Sequence, residues 1–202
     1  MQTRSVEMAF KRQVPVQVLS SFNDEIGSDM PGTLITKEEN IMEKYVVNGI
    51  TFTNADAKVT LENVPDEPGF AAKVFAPLTE ANINVDMIVQ NVSTDGKNTD
   101  FTFTVPRSEL ERTKDAVAKA GFGDSVIASD KVSKVSVIGI GMVSHAGVAQ
   151  TMFQTLAEKG INIHVISTSE IKISVLIDEE YQELAVRALH TAYGLDKDDD
   201  AA

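Results

Sequence analysis

An internal repeat across residues 45–194 constrains the fold of this chain more than any other feature. The first copy, from Lys58, reads KVTLENVPDEPGFAAKVFAPLTEANINVDMIVQN, and the second, from Lys134, reads KVSVIGIGMVSHAGVAQTMFQTLAEKGINIHVISTS. Gly69 of the first copy matches Gly147 of the second, and each copy continues with an Ile-Asn motif. Because a repeat marks one structural unit that is used twice, the sequence predicts two similar domains.

The periodicity of apolar residues gives the order of elements within each copy. Apolar and polar side chains alternate over residues 83–90, 101–105 and 171–177, and this period of two predicts strands. Amphipathic patterns predict helices over residues 108–120 and 179–193. Both copies therefore have the order strand, helix, strand, strand, helix, with helices covering one apolar face of each sheet.

The second copy lacks its last strand. The first copy ends with a further strand over residues 125–132, whereas the second copy runs directly into an acidic tail. The segment VVNGITF at residues 46–52 is the strand-like stretch left unassigned, and an open sheet edge needs a partner. We therefore predict that this upstream segment completes the second sheet, so that the first domain is inserted into the second.

The two ends of the chain differ from the repeat. Residues 6–10 have a short helical pattern and residues 14–19 a strand pattern, and the composition of residues 20–40 is typical of a loop. At the other end, the charged residues 195–202 predict a solvated, disordered tail.

The composition excludes several classes of partner and site. Among 202 residues, 18 Lys and Arg against 30 Asp and Glu give a net charge of −12, which argues against nucleic acid and anionic membrane surfaces as partners. No apolar run approaches the ~20 residues that span a bilayer. The absence of cysteine excludes disulfides and thiolate metal ligands, and it fits the reducing cytoplasm.

Polar residues gather around the predicted start of the first helix. Asp66 and Gly69 lie between a strand and a helix, where free backbone N–H groups attract carboxylates. Asp66 either receives an ammonium group or caps the helix. Asn84, Asp86 and Gln90 share one face of the next strand, and we expect the first two beside the helix start. These side chains either bind the amino end of a zwitterion or form a polar surface.

The sequence predicts neither a catalytic nor a metal site. Gly139 and Gly141 lack the third glycine of a dinucleotide-binding motif, and no suitable strand-helix-strand unit follows them. His145, His164 and His190 do not have the spacing of metal ligands.

These segments together resemble a known family over almost the whole chain. VPDEPGFAAKVF, INVDMIVQN and TDFTFTVP, followed by ISTSEIKISVLI, resemble the tandem ACT domains of bacterial aspartate kinase. The segment TRSVEMAFKRQVPVQVLSSFNDE resembles the end of that enzyme's kinase domain and its linker. The resemblance implies an α+β fold of two ferredoxin-like βαββαβ ACT domains. It assigns residues 57–132 to the first ACT domain, residues 45–56 plus 133–194 to the second, and residues 1–44 to a kinase remnant.

The resemblance also implies a function. The family phosphorylates the β-carboxylate of aspartate with ATP and magnesium, and its ACT domains bind end-product amino acids that inhibit the enzyme. We therefore expect this chain to be the cytoplasmic regulatory part, responding to lysine and/or threonine. Because the kinase core has no counterpart here, we expect no activity and no cofactor in this chain alone, and a catalytic aspartokinase subunit as its partner if the two are separate.

In the family, an effector pocket lies between ACT domains, at the loop before the first helix and the start of the next strand. The first domain of this chain would contribute Asp66, Gly69, Ala71, Asn84, Val85, Asp86 and Gln90. The paired domain would contribute Asn162, Ile163, His164, Ser167, Ser169 and Glu170. Since the second copy lacks the Asp and Pro of the first loop, we expect the two sites to differ in ligand or occupancy.

Our hypothesis is a homodimer through the ACT sheets that holds threonine or lysine at the seam. The helix start would take the carboxylate, and Asp86 or Asn84 the ammonium group. Three alternatives stay open: a module that only dimerises the kinase, a stand-alone amino-acid sensor, and an ACT regulator of another pathway. The sequence also leaves open whether the chain is a natural small subunit or part of a longer polypeptide.

Overall fold

The structure is a computed structural model that describes residues 2–19, 32–35, 46–91, 96–139 and 147–196. The chain divides into two compact units, Met1–Lys44 and Tyr45–Ala202. The predicted disordered tail lies largely outside the described residues.

The first unit contains one helix and a two-stranded antiparallel sheet. Helix α1 (Thr3–Lys11) precedes strand β1 (Val16–Val18), which pairs with strand β2 (Thr33–Ile35). The prediction of a loop over residues 20–40 is wrong for β2. There the β-branched residues Thr33 and Ile35 favour extended backbone and pair with Val18 and Val16. Most of the other residues of that predicted loop lie outside the described part.

The second unit contains two four-stranded antiparallel sheets, each with two helices on one face. The first sheet has the order β5-β6-β4-β7, formed by β4 (Asp56–Pro65), β5 (Ile88–Gln90), β6 (Asn98–Pro106) and β7 (Val126–Ser129). Helices α2 (Phe70–Glu80) and α3 (Leu110–Val117) cover it. Phe70 and Phe101 meet edge to face in the core, with ring centroids 5.7 Å apart.

The second sheet has the order β3-β8-β10-β9. Its strands are β3 (Gly49–Thr53), β8 (Val132–Ile138), β9 (Val165–Thr168) and β10 (Lys172–Asp178). Helices α4 (Val148–Glu158) and α5 (Gln182–Ala192) pack against the face that carries Val135, Val137 and Val175. Strand β3 precedes the whole first sheet in the chain, and it pairs with β8 of the second sheet.

Several element boundaries differ from the sequence predictions. Strand β3 begins at Gly49, because Val47 turns into the core and is buried. Strand β5 covers only residues 88–90, although the predicted alternation holds for burial, with Ile83 and Met87 buried. Val132 opens β8 instead of ending β7, since Asp130 and Lys131 form the turn between these strands.

The helices also depart from their predicted ends. Helix α2 contains Pro77 and continues for three residues beyond it. On α5, Leu189 is fully buried, whereas Leu184 is 44% exposed. None of the described helices has the length and apolar character needed to cross a membrane.

The helix-free faces of the two sheets meet through a small apolar cluster. Met87, Val132, Val165 and Leu176 are buried together, and Val89 packs against them. Met87 and Val89 belong to the first domain, whereas the other three lie on strands of the second. We call this group the interdomain cluster.

Gly139 marks the closest approach between the upstream segment and the second domain. A Cβ atom at Gly139 would lie 2.0 Å from the carbonyl oxygen of Val46 and 2.9 Å from the Cα atom of Val47. Only a residue without a side chain fits there, since backbone atoms cannot move aside as a flexible side chain can.

We expect Gly139→Ala to lower the free energy of unfolding by about 1–3 kcal/mol, the usual cost of overpacking. Gly49→Ala is the matched control, because a Cβ atom at Gly49 meets nothing within 4 Å. Urea unfolding of both variants measures the difference. Equal stability of the two variants would contradict the close approach.

Candidate functional site

The two copies share an unusual helix start. Gly69 precedes α2 with φ 93°, and Gly147 precedes α4 with φ 112°, both in the left-handed region that favours glycine. The N-cap residue of each helix is this glycine, which has no side chain to cap the helix, and the capping role of Asp66 stays a prediction. The N–H groups of the first turn carry partial positive charge, as an anion site requires, although that of Phe70 already donates to the carbonyl of Glu67 at 3.1 Å.

Asp66 and Gln90 meet beside the start of α2. Gln90 Nε2 donates a hydrogen bond of 3.3 Å to Asp66 Oδ1. Both residues lie at the same end of the first sheet because β4 and β5 each pair antiparallel with β6 and so run parallel to one another. The backbone N–H of Asp66 donates to the carbonyl of Lys97 at 2.9 Å, which fixes the strand end. Asp66 is half-buried, and Gln90 is exposed.

The remaining first-domain candidates lie elsewhere. Ala71 and Val85 pack against the first core. Asn84 and Asp86 were expected beside the start of α2, and this expectation is wrong. They follow the carboxyl end of α2, where Asp86 N–H donates to the carbonyl of Thr104 at 3.1 Å. The parallel run of β4 and β5 puts the beginning of this segment at the opposite end of the sheet from Asp66.

The carboxylate of Asp86 takes part in an ion pair across the domain boundary. Lys134 of β8 donates a hydrogen bond of 2.5 Å to Asp86 Oδ2, and its Nζ lies 2.8 Å from Asp56 Oδ2. Lys134 and Asp56 are 15% and 17% exposed, whereas Asp86 is 58% exposed. Burial by itself lowers the pKa of Lys134, but the hydrogen bonds and charges of Asp56 and Asp86 outweigh it and raise this pKa above its ordinary value of 10.5.

The second-domain candidates lie along β9 and directly before and after it. Asn162 is exposed, and Ile163 packs against the second core. His164 Nε2 lies 2.8 Å from Asp178 Oδ1, and the Ser169 N–H donates to the carbonyl of Lys172 at 2.7 Å. These contacts lie within the second domain. The other candidates of this group, Ser167 and Glu170, are exposed. The loop before α4, residues 140–146, lies outside the described residues.

The sequence analysis missed Lys134 and Asp56. Lys134 is the one charged residue of the strand VSKVSVI, and it faces away from the helices because Val135 and Val137 face them. A single lysine in an otherwise uncharged strand was the available signal, since such a lysine needs a buried partner.

Comparison with known proteins gives the family. Two regions match models described as ACT domain, at residues 59–122 and 135–193. A crystal structure of aspartokinase alpha and beta subunits is 49% identical with TM-score 0.68, and the match covers 73% of this chain and 99% of that one. The chain belongs to the aspartate kinase family. Its two ACT domains are the regulatory domains of that family.

Further relatives agree with this assignment. The ligand-free regulatory subunit of aspartate kinase from Thermus thermophilus is 39% identical with TM-score 0.69, and the match covers 73% of this chain and 99% of that one. The aspartate kinase of Pseudomonas fluorescens is 54% identical over 200 residues, which are 97% of this chain and 47% of that relative. The regulatory ACT chain therefore spans about half the length of the curated relatives that it matches.

The raised pKa of Lys134 predicts a specific loss of stability in alkali. The ion pair stabilises the fold fully below pH 10.5, and this contribution disappears as the pH rises through the raised pKa. Arginine stays charged there. We therefore expect the native chain to lose about 1 kcal/mol relative to Lys134→Arg above pH 10.5, a value reduced for partial exposure. Urea unfolding of both proteins at neutral and alkaline pH measures it, and parallel pH profiles would contradict it.

Proposed function

We propose that these ACT domains bind a free amino acid, lysine and/or threonine, and thereby mediate feedback inhibition of aspartate phosphorylation. The observation that carries this proposal is the Asp66–Gln90 pair beside the start of α2. A carboxylate and a helix N-terminus side by side offer complementary charges to the two ends of a zwitterion.

In this proposal each group at this corner has one role. The N–H groups that follow Phe70 in the first turn of α2 would take the α-carboxylate, and Asp66 would take the ammonium group with Gln90 beside it. We assign the ammonium group to Asp66 rather than to Asp86 because Lys134 pairs with Asp86 at the other end of the sheet. Asn84 and Val85 lie toward the opposite end of the sheet, and Val85 packs against the first core, so neither belongs to this proposed pocket.

A second copy of the chain completes this proposed pocket. Asp66, Gly69 and Gln90 lie on an open surface, so one chain alone encloses a ligand poorly. The paired chain would contribute the exposed side of Asn162 and His164. Two isoleucines at equivalent positions of the repeat support this pairing. Ile88 of β5 and Ile166 of β9 are 51% and 44% exposed, and each lies on a strand at the edge of its described sheet, where an apolar side chain favours a partner.

The kinase activity belongs, in this proposal, to a catalytic core outside this sequence. That core would bind ATP, magnesium and aspartate, and Met1–Lys44 would be the part of the chain that joins it. A ligand bound between the paired ACT domains would favour the inactive arrangement of the kinase. A coupling free energy of about 1–3 kcal/mol would then change the kinase activity by roughly 5–150-fold. The cytoplasm, where aspartate and its products occur free, is the proposed location.

Calorimetric titration of the chain with threonine, lysine and methionine tests the sensor function. We expect heat of binding with threonine or lysine, and an affinity about tenfold lower or more in Asp66→Asn, because a charged hydrogen-bond partner of the ammonium group is lost. Asp115→Asn is the matched control, since Asp115 is an exposed carboxylate of α3 near the other end of α2.

Each outcome of this titration separates the alternatives. No heat with any of the three amino acids, singly or combined, would contradict the sensor function and leave a module that only dimerises. Equal affinities of Asp66→Asn and the native chain would remove Asp66 from the site while keeping the sensor function.

The proposed pairing predicts a second effect. We expect Ile88→Lys to weaken the dimer by about tenfold or more, because a charge replaces an apolar contact at the seam. Ile127→Lys is the matched control, as Ile127 is also 51% exposed but lies on β7 at the other edge of the first sheet. Sedimentation equilibrium measures both variants, and equal dissociation constants would contradict a seam at β5.

A further inference from the structure

Residues 84–87 of the first domain have little support from their own domain. They form no part of the strand β5, and the backbone groups of Asp86 and Met87 bond to Thr104. Thr104 accepts from Asp86 N–H at 3.1 Å and donates to the carbonyl of Met87 at 3.0 Å, while its hydroxyl accepts from Met87 N–H at 3.0 Å. Val85 also packs against the first core, but a segment whose backbone is bonded to one residue of the neighbouring strand has a low free energy of local opening.

The second domain supplies the remaining support for this segment. Met87 is buried in the interdomain cluster against Val165 and Leu176. Immediately before it, Asp86 accepts the hydrogen bond from Lys134. Met87 is therefore fixed by apolar packing and Asp86 by an ion pair, and both contacts are made with residues of the second sheet.

Lys134 also contacts the connection between the two domains, at the start of β4. Asp56, its second partner, is the first residue of β4, directly after the connection from β3. Its Oδ2 atom is buried, and the ammonium group of Lys134, 2.8 Å away, compensates this buried charge. One ammonium group thus joins two separate segments of the first domain.

A second ion pair closes the same boundary. Arg107 begins the 3₁₀ turn before α3, and Glu179 begins the equivalent turn before α5. Their side chains lie 3.2 Å apart, and Asn54, in the connection from β3, donates to Glu179 Oε1 at 3.1 Å. Equivalent positions of the two copies therefore face each other with opposite charges.

We propose that Lys134 is a coupling residue, whose ion pairs with Asp56 and Asp86 make the segment from Asn84 to Gln90 dependent on the second ACT domain of the same chain. Gln90 lies four residues after Asp86 in this segment, beside Asp66. The position of Gln90 beside Asp66 then depends on how the second sheet packs against the first. The two domains therefore move together as one body and not about a hinge. The inference goes beyond the proposed function, and its test needs no ligand.

Hydrogen exchange of the full chain tests this coupling. In Lys134→Met we expect the amides of Asp86, Met87 and Thr104 to exchange about tenfold faster or more, while the amides of the core strand β10 keep their protection. Lys134→Arg should restore native rates because it retains the charge. Lys172→Met is the matched control, since Lys172 lies on the same face of the second sheet and forms no ion pair with the described residues.

Asp86→Asn provides a second variant if Lys134→Met does not fold, because Asp86 is largely exposed and its replacement keeps the side-chain size. Faster exchange at Met87 and Thr104 in this variant would support the coupling. Native exchange rates at these amides in every folded variant, or changes confined to the second sheet, would overturn it. Both results are independent of amino-acid binding, so failure here leaves the titration experiment unaffected.

Discussion

The pairing of β3 with β8 is the constraint on which the rest of the second unit depends. Strand β3 comes before the first sheet in the chain and hydrogen-bonds to the first strand of the second sheet after the repeat boundary. The chain must therefore cross between the domains twice, once from β3 to β4 and once from β7 to β8. Two crossings hold the sheets close together, and this proximity makes the interdomain cluster and the two ion pairs possible.

The same constraint shapes the candidate site. β4 and β5 both pair with β6 and run parallel to each other. The end of β5, with Gln90, therefore lies beside the start of α2, whereas Asp86, just before β5, lies at the boundary with the second domain. One short segment thus reaches from the proposed ligand to the neighbouring domain. A regulatory domain needs such a connection, since binding energy has to change contacts beyond the pocket.

Part of the site was open to prediction from the sequence. Asp66, Gly69 and Gln90 were all named as site candidates, but Gln90 was not expected beside the helix start, where the structure brings it to Asp66. Asn84 and Asp86 were placed at the wrong end, because alternation gives the face of a strand and not its direction relative to a helix. Lys134 and Asp56 were missed because they are 78 residues apart in the chain, and no local pattern links them.

The sequence by itself determined the two copies, their order of elements and the apolar faces, because these follow from local periodicity and from a repeat that must bury each face separately. It also pointed to the family through motifs such as INVDMIVQN. Only the tertiary structure decided which residues meet across the domain boundary and why Gly139 has no side chain. Such contacts depend on the distance and direction at which two folded sheets approach, and these are properties of the packed molecule rather than of any one segment.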